Sequence, residues 1–121
     1  MQEGEGWIKL FRKFTEWEWY GDINTKTVFI HLLLIANFEE KRWMGRTIER
    51  GQAVIGLFSL SEELGLSIRQ VRTALGKLES TGEITKKSTN KFTIVTICKY
   101  EKYQQVDESE RQTSDKRATN E

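Results

Sequence analysis

The stretch FSLSEELGLSIRQVRTALGKLESTG, residues 58 to 82, restricts the fold of this chain more than any other. Two short helical patterns flank a Gly-Leu-Ser turn within it. Ser59 is followed three residues later by Glu62, the spacing at which a side chain and a helix start satisfy each other's N–H groups, so the first helix is expected from about Leu60. Gly65 can take the left-handed backbone that ends it. Ser67 and Gln70 repeat the starting signal, and a second helix is expected from about Ile68 to a stop at Gly82. Its residues Ile68, Val71, Leu75 and Leu78 recur at helical spacing and form one apolar stripe. The opposite side carries Arg69, Gln70, Thr73, Gly76, Lys77 and Ser80, with Arg72 at its flank and no carboxylate.

After Gly82 the pattern changes to strand chemistry. Residues 83–87, a polar Ser88-Thr89-Asn90 turn and the β-branched run KFTIVTIC at 91–98 read as a hairpin. A helix-turn-helix followed by a hairpin is the winged-helix arrangement, a mainly α fold with a small β-hairpin, in class α+β. In that architecture the N-terminal half of the second helix enters the DNA major groove, where Arg pairs with guanine and Gln with adenine in bidentate fashion. Lys86, Lys87, Asn90 and Lys91 would place donors around the wing tip, on phosphate or at the minor groove. Against this stand two plain readings: a solvated helix face, and an edge hairpin kept soluble by its lysines.

Charge is distributed unevenly. Of the 121 residues, 1–58 hold eight basic and eight acidic side chains, 59–103 hold eight against five, and 104–121 hold three against five. The excess of positive charge therefore sits on the helix-turn-helix region, and it is modest. A hydrophobic content of 37% is enough for one core, expected over 1–103. The segment QQVDESERQTSDKRATNE at 104–121 has only Val106 and Ala118 as apolar residues, and reads as a polar tail or linker.

Upstream, Trp7, Leu10, Phe11, Phe14 and Trp17 fall at helical spacing, so a helix is expected from about Leu10 to Trp17 with its aromatic rings in the core. Asn24 is the candidate cap of a helix from Thr25 to about Asn37, apolar almost all round and therefore central. His31 within it is expected to be buried or half-buried and hydrogen-bonded. Residues 38–51 form a charged connector with a loop or ribbon around Trp43, and Gln52 to Leu57 a short strand. Tyr100 and Tyr103 are placed to pack back on the domain.

Several functions are disfavoured by what the residues offer. No apolar run approaches the roughly 20 residues of a membrane span, and the start MQEGEGW lacks the regions of a secretory signal. The single cysteine, Cys98, ends an apolar strand and is expected to behave as a small hydrophobe; with one histidine there is no zinc spacing. No phosphate-cradling glycine loop or serine nucleophile motif occurs. The expectation is a cytoplasmic protein with no cofactor, no metal and no catalytic residues.

The runs GWIKLFRKF, VFIHLLLIANFEEKRW, GRTIERGQAVIG, SLSEELGLSIRQVRTALGKLESTGEIT and STNKFTIVTICKYEKYQ together resemble the N-terminal winged-helix domain of phage-type replication initiators, the DnaD-like replisome organisers of phages and mobile elements. The resemblance covers about Gly6 to Gln105. It implies binding of DNA, double-stranded by this reading, at a replication origin, with Ser67, Arg69, Gln70, Thr73 and Lys77 at recognition-helix positions. Members commonly carry a further C-terminal region that recruits helicase or its loader, and the expectation is that these 121 residues stop before it, leaving the DNA-binding and self-association parts. Two other classes stay open: a transcriptional repressor of the same fold, and an interaction module in which the aromatic N-terminal segment builds a homo-oligomer or docks a replisome protein.

Overall fold

Asp22 starts the first long helix, α1 (Ile23–Ile35), by accepting a hydrogen bond from the Thr25 N–H at 3.1 Å. The cap therefore lies two residues ahead of Asn24. In the computed structural model, which describes residues 6–104, α1 buries Thr25, Val28, Phe29, Leu32 and Leu33. Its other side leaves Ile23 and Leu34 exposed, so a helix apolar almost all round is central on one face only. His31 is half-buried, with Nε2 3.3 Å from Glu63 Oε1 at ion-pair distance but not aligned as a hydrogen bond.

Ahead of α1 the expected helix is reduced to a 3-10 turn, Arg12–Glu16, none of it fully buried. The aromatic rings explain the shape of this segment. Phe14 stacks on Trp17 at 5.1 Å and Trp17 tilts onto Phe29 of α1 at 4.9 Å, so the chain is held by rings against the core rather than by a regular helix. Trp7 and Phe11, expected inside, are 72% and 54% exposed.

Residues 38–51 do contain a ribbon: β1 (Lys41–Trp43) pairs antiparallel with β2 (Arg46–Ile48). Met44 and Gly45 join them with φ of 47° and 78°, the two positive values that suit a tight hairpin turn. Next comes β3 (Gln52–Ile55), which pairs with β5 (Thr93–Ile97); β5 also pairs with β4 (Ile84–Ser88), giving a three-stranded antiparallel sheet in the order β3-β5-β4. Gly51 before β3 has φ of 85°, and a Cβ there would stand 2.9 Å from that of Tyr100, so both backbone and space call for glycine.

The two helices expected on either side of the Gly-Leu-Ser turn are α2 (Leu57–Leu64) and α3 (Ile68–Ser80). α2 starts three residues earlier than Ser59 and Glu62 imply, capped by Gly56 without a side-chain bond. Leu57, Leu60, Ser61 and Leu64 share one inward face, and burying that stripe outweighs a side-chain cap of about 1 kcal/mol. Gly65 ends α2 with φ of 71°, and Ser67 and Gln70 open α3 with a complete capping box. Val71, Ala74, Leu75 and Leu78 of α3 meet α1, the sheet and α2 in one core; Ile68, expected in the stripe, stays exposed at the helix start.

α4 (Tyr100–Gln104) closes the described chain, with Tyr100 and Tyr103 packed on the core as expected. Gln104, the first residue of the expected tail, is only 7% exposed: its amide accepts from Lys9 N and donates to Lys9 O. Residues 105–121 lie outside the described residues. Cys98 follows β5 and is exposed rather than part of the apolar strand. Among the described residues no helix is long and apolar enough to cross a membrane.

Candidate nucleic-acid interface

The segment preceding α1 straps one end of α3. Trp17 Nε1 donates to Glu83 Oε2 at 2.9 Å, Trp19 Nε1 donates to Thr81 Oγ1 at 3.0 Å, and Lys77 Nζ donates to Asp22 Oδ2 at 2.6 Å. The Lys77 ammonium also lies 5.6 Å from the Trp19 ring centroid. That ammonium, together with the Thr25 N–H, holds the Asp22 carboxyl below its ordinary pKa of 3.8. The C-terminal half of α3 is thus occupied by the chain itself.

Its N-terminal half is open. Arg69, Gln70, Arg72 and Thr73 are exposed on α3, and the guanidinium groups of Arg69 and Arg72 have no hydrogen bond or ion pair among the described residues. Gln70 is constrained: its Oε1 accepts from Ser67 N at 2.9 Å, while Ser67 Oγ accepts from Gln70 N at 3.0 Å. Oε1 thus shares its acceptor capacity with the cap while the NH₂ keeps its donors, and the bidentate adenine contact expected from the sequence would use both ends of the amide. Ser67 likewise spends its oxygen on the cap and keeps a hydroxyl proton. Lys77, expected among the outward cations, is withdrawn to Asp22 and Trp19.

The β4–β5 hairpin divides its lysines. In the register Lys86 stands opposite Val95, on the side of the sheet that Ile84 and Val95 bury, and its Nζ lies 3.3 Å from Glu79 Oε1 of α3. Lys87, opposite Ile94, falls on the other side by strand alternation. The two therefore lie on opposite sides of β4, although the sequence groups them together. Lys87, Asn90 and Lys91 are exposed, and the lysine side chains of 87 and 91 are unpaired among the described residues. The turn that carries Asn90 and Lys91 is well tied: Thr89 N donates to Phe92 O at 2.8 Å, and Thr89 Oγ1 accepts from the N–H groups of Lys91 and Phe92, both at 3.1 Å.

What the arrangement offers is an open helix start with two unpaired guanidiniums and a hairpin tip with two unpaired ammoniums. No acidic residue occurs in 67–78 or in 84–100. Phosphate and base edges are the ligands such donors suit, and no group of His, Cys, Asp or Glu among the described residues is arranged to hold a metal ion. The strap at residues 17–22 has no local signature, since each of its bonds joins positions more than 50 residues apart. In comparisons with known proteins, no family model, no curated protein and no solved structure matches the chain.

Proposed function

We infer that residues 6–104 are a winged-helix DNA-binding module, with α3 as recognition helix in the major groove and the β4–β5 hairpin as the wing on the backbone. In this reading the chain belongs with the DnaD-like initiators of phage or mobile-element replication, acts in the cytoplasm on double-stranded DNA, and carries no catalysis of its own. The observation that carries the proposal is the division of α3: the half strapped by residues 17–22 is the half that docking geometry leaves outside the groove, while Arg69, Arg72 and Thr73 stand free on the half that would enter. Arg69 is the principal base reader, Gln70 a donor through its NH₂, and Lys87 and Lys91 phosphate contacts.

The test is selection of sites from a random duplex pool, followed by anisotropy titrations in varied salt. Arg69→Ala should relax the preference at one base pair and cost roughly 1 to 3 kcal/mol on the preferred site. Lys87→Ala with Lys91→Ala should weaken every sequence alike and flatten the salt dependence. An unchanged sequence profile in Arg69→Ala would refute the assignment of α3.

One observation favours a second reading, that of an interaction module. Trp7, Leu10, Phe11, Leu34 and Phe38 are exposed, and a recess of about 370 Å³ lined by Phe14, Trp17, Leu33 and Tyr103 opens among part of them. Light scattering that reports assembly at micromolar concentration, with duplex binding unaffected by Arg69→Ala, would favour it.

A further inference from the structure

The β1–β2 ribbon and the β4–β5 turn meet at Phe92. Trp43 packs edge-on against the Phe92 ring with centroids 4.9 Å apart, and the Arg46 guanidinium lies 5.2 Å from the same centroid. In the ribbon Trp43 stands directly opposite Arg46, so the two share a face; Lys41 and the buried Ile48 are on that face as well. Arg42 and Thr47 form the other face, where Arg42 Nη1 donates to Thr47 Oγ1 at 2.9 Å.

This places Arg46 beside the wing tip, next to the residue after Lys91, although it is remote from it in sequence. Arg46 has no carboxylate partner among the described residues, and residues 41–48 contain no Asp or Glu. The ring orients the guanidinium without neutralising it, because a cation over an aromatic face keeps its full charge and its N–H donors. The Thr89 bonds fix the other half of the tip. An arrangement of like charges held together by rings and turn bonds is suited to a ligand that supplies the missing negative charge.

We propose that Arg46, carried on the β1–β2 ribbon, completes a phosphate-gripping tip with Lys91 and Lys87, so that the module holds the duplex backbone with two hairpins rather than one. The proposal rests on the DNA-binding reading above and deepens it. It assigns a positioning contact to a residue outside both the helix-turn-helix and the wing, and it makes Arg42, on the opposite face, an internal control of equal charge.

The experiment measures log K against log salt for a fixed duplex with the wild-type chain, Arg46→Gln, Arg46→Lys and Arg42→Gln. Arg46→Gln should lower the slope by about 0.9, the value for one phosphate contact, while leaving the sequence preference unchanged. Arg46→Lys should restore most of the slope, which a purely structural role of the Phe92 contact would not require. Arg42→Gln should keep the wild-type slope. If Arg46→Gln loses the fold in a thermal melt, Arg46→Met, which keeps an apolar stem on the ring, replaces it. A wild-type slope in the folded neutral variant, or an equal fall in Arg42→Gln, overturns the proposal. Preference for phosphatidylserine vesicles over duplex, abolished by Arg46→Gln, overturns it too. Should the wild type bind duplex and Arg69→Ala relax its profile while Arg46→Gln changes nothing, only the ribbon contact is lost. Failure of the wild type to bind duplex at all removes the DNA-binding reading itself, and this proposal with it.

Discussion

Asp22 does two tasks with one carboxylate: Oδ1 caps α1 and Oδ2 holds Lys77 of α3. Its pKa is depressed first by the Lys77 contact and then by the Thr25 N–H, so the folded state favours the charged form. That contribution is complete above the unfolded value near 3.8 and disappears as pH falls through the lower folded value. Asp22→Asn keeps a competent cap and removes the charge. Urea titrations should find it less stable than wild type at pH 7, by roughly 0.5 to 1 kcal/mol for a partly exposed pair, with the gap closing toward pH 3. Lys77 was legible as an outward cation; its union with Asp22 was not, because local spacing says nothing about a partner 55 positions away.

At the scale of elements, α3 was the most readable part of the chain. Ser67, Gln70 and the stripe Val71, Leu75 and Leu78 act within a few turns of each other, and local signals of that kind survive tertiary context. The start of α2 was misread for the opposite reason: the packing of Leu57 and Leu60 decided it over a local cap. The aromatic segment failed similarly, since rings that find their partners on Phe29 of α1, Glu83 and Thr81 have no need of helical regularity. Ser67→Ala removes one side of the capping box and should cost about 1 kcal/mol in a denaturant midpoint series. Faster amide exchange at Gln70, the N–H that loses its acceptor, should accompany it.

Across the whole molecule, Glu83 is the point where three distant parts join. It is buried, with Trp17 Nε1 on Oε2 and the Tyr103 hydroxyl on Oε1 at 3.1 Å. Burial first, and then the Glu83 charge, push the Tyr103 pKa up to about 12 from its ordinary 10.0. The neutral phenol is therefore favoured in the folded state, and stability that is full below pH 10 should decline as pH rises from 10 toward 12. Tyr103→Phe should be less stable at neutral pH, by roughly 1.5 to 3 kcal/mol for a hydrogen bond to a charged acceptor. Its alkaline decline in thermal melts should be shallower than that of wild type.

The amide of Gln104 grips the backbone of Lys9 from both sides, at 2.8 and 3.0 Å. Ninety-five positions of chain are closed there into something near a ring. Tethers attached at Lys9 and at Gln104 leave from one spot, and a pull between the two loads those bonds before it reaches α1, α2 or α3. A cargo fused on one side would be carried within arm's reach of whatever is fused on the other.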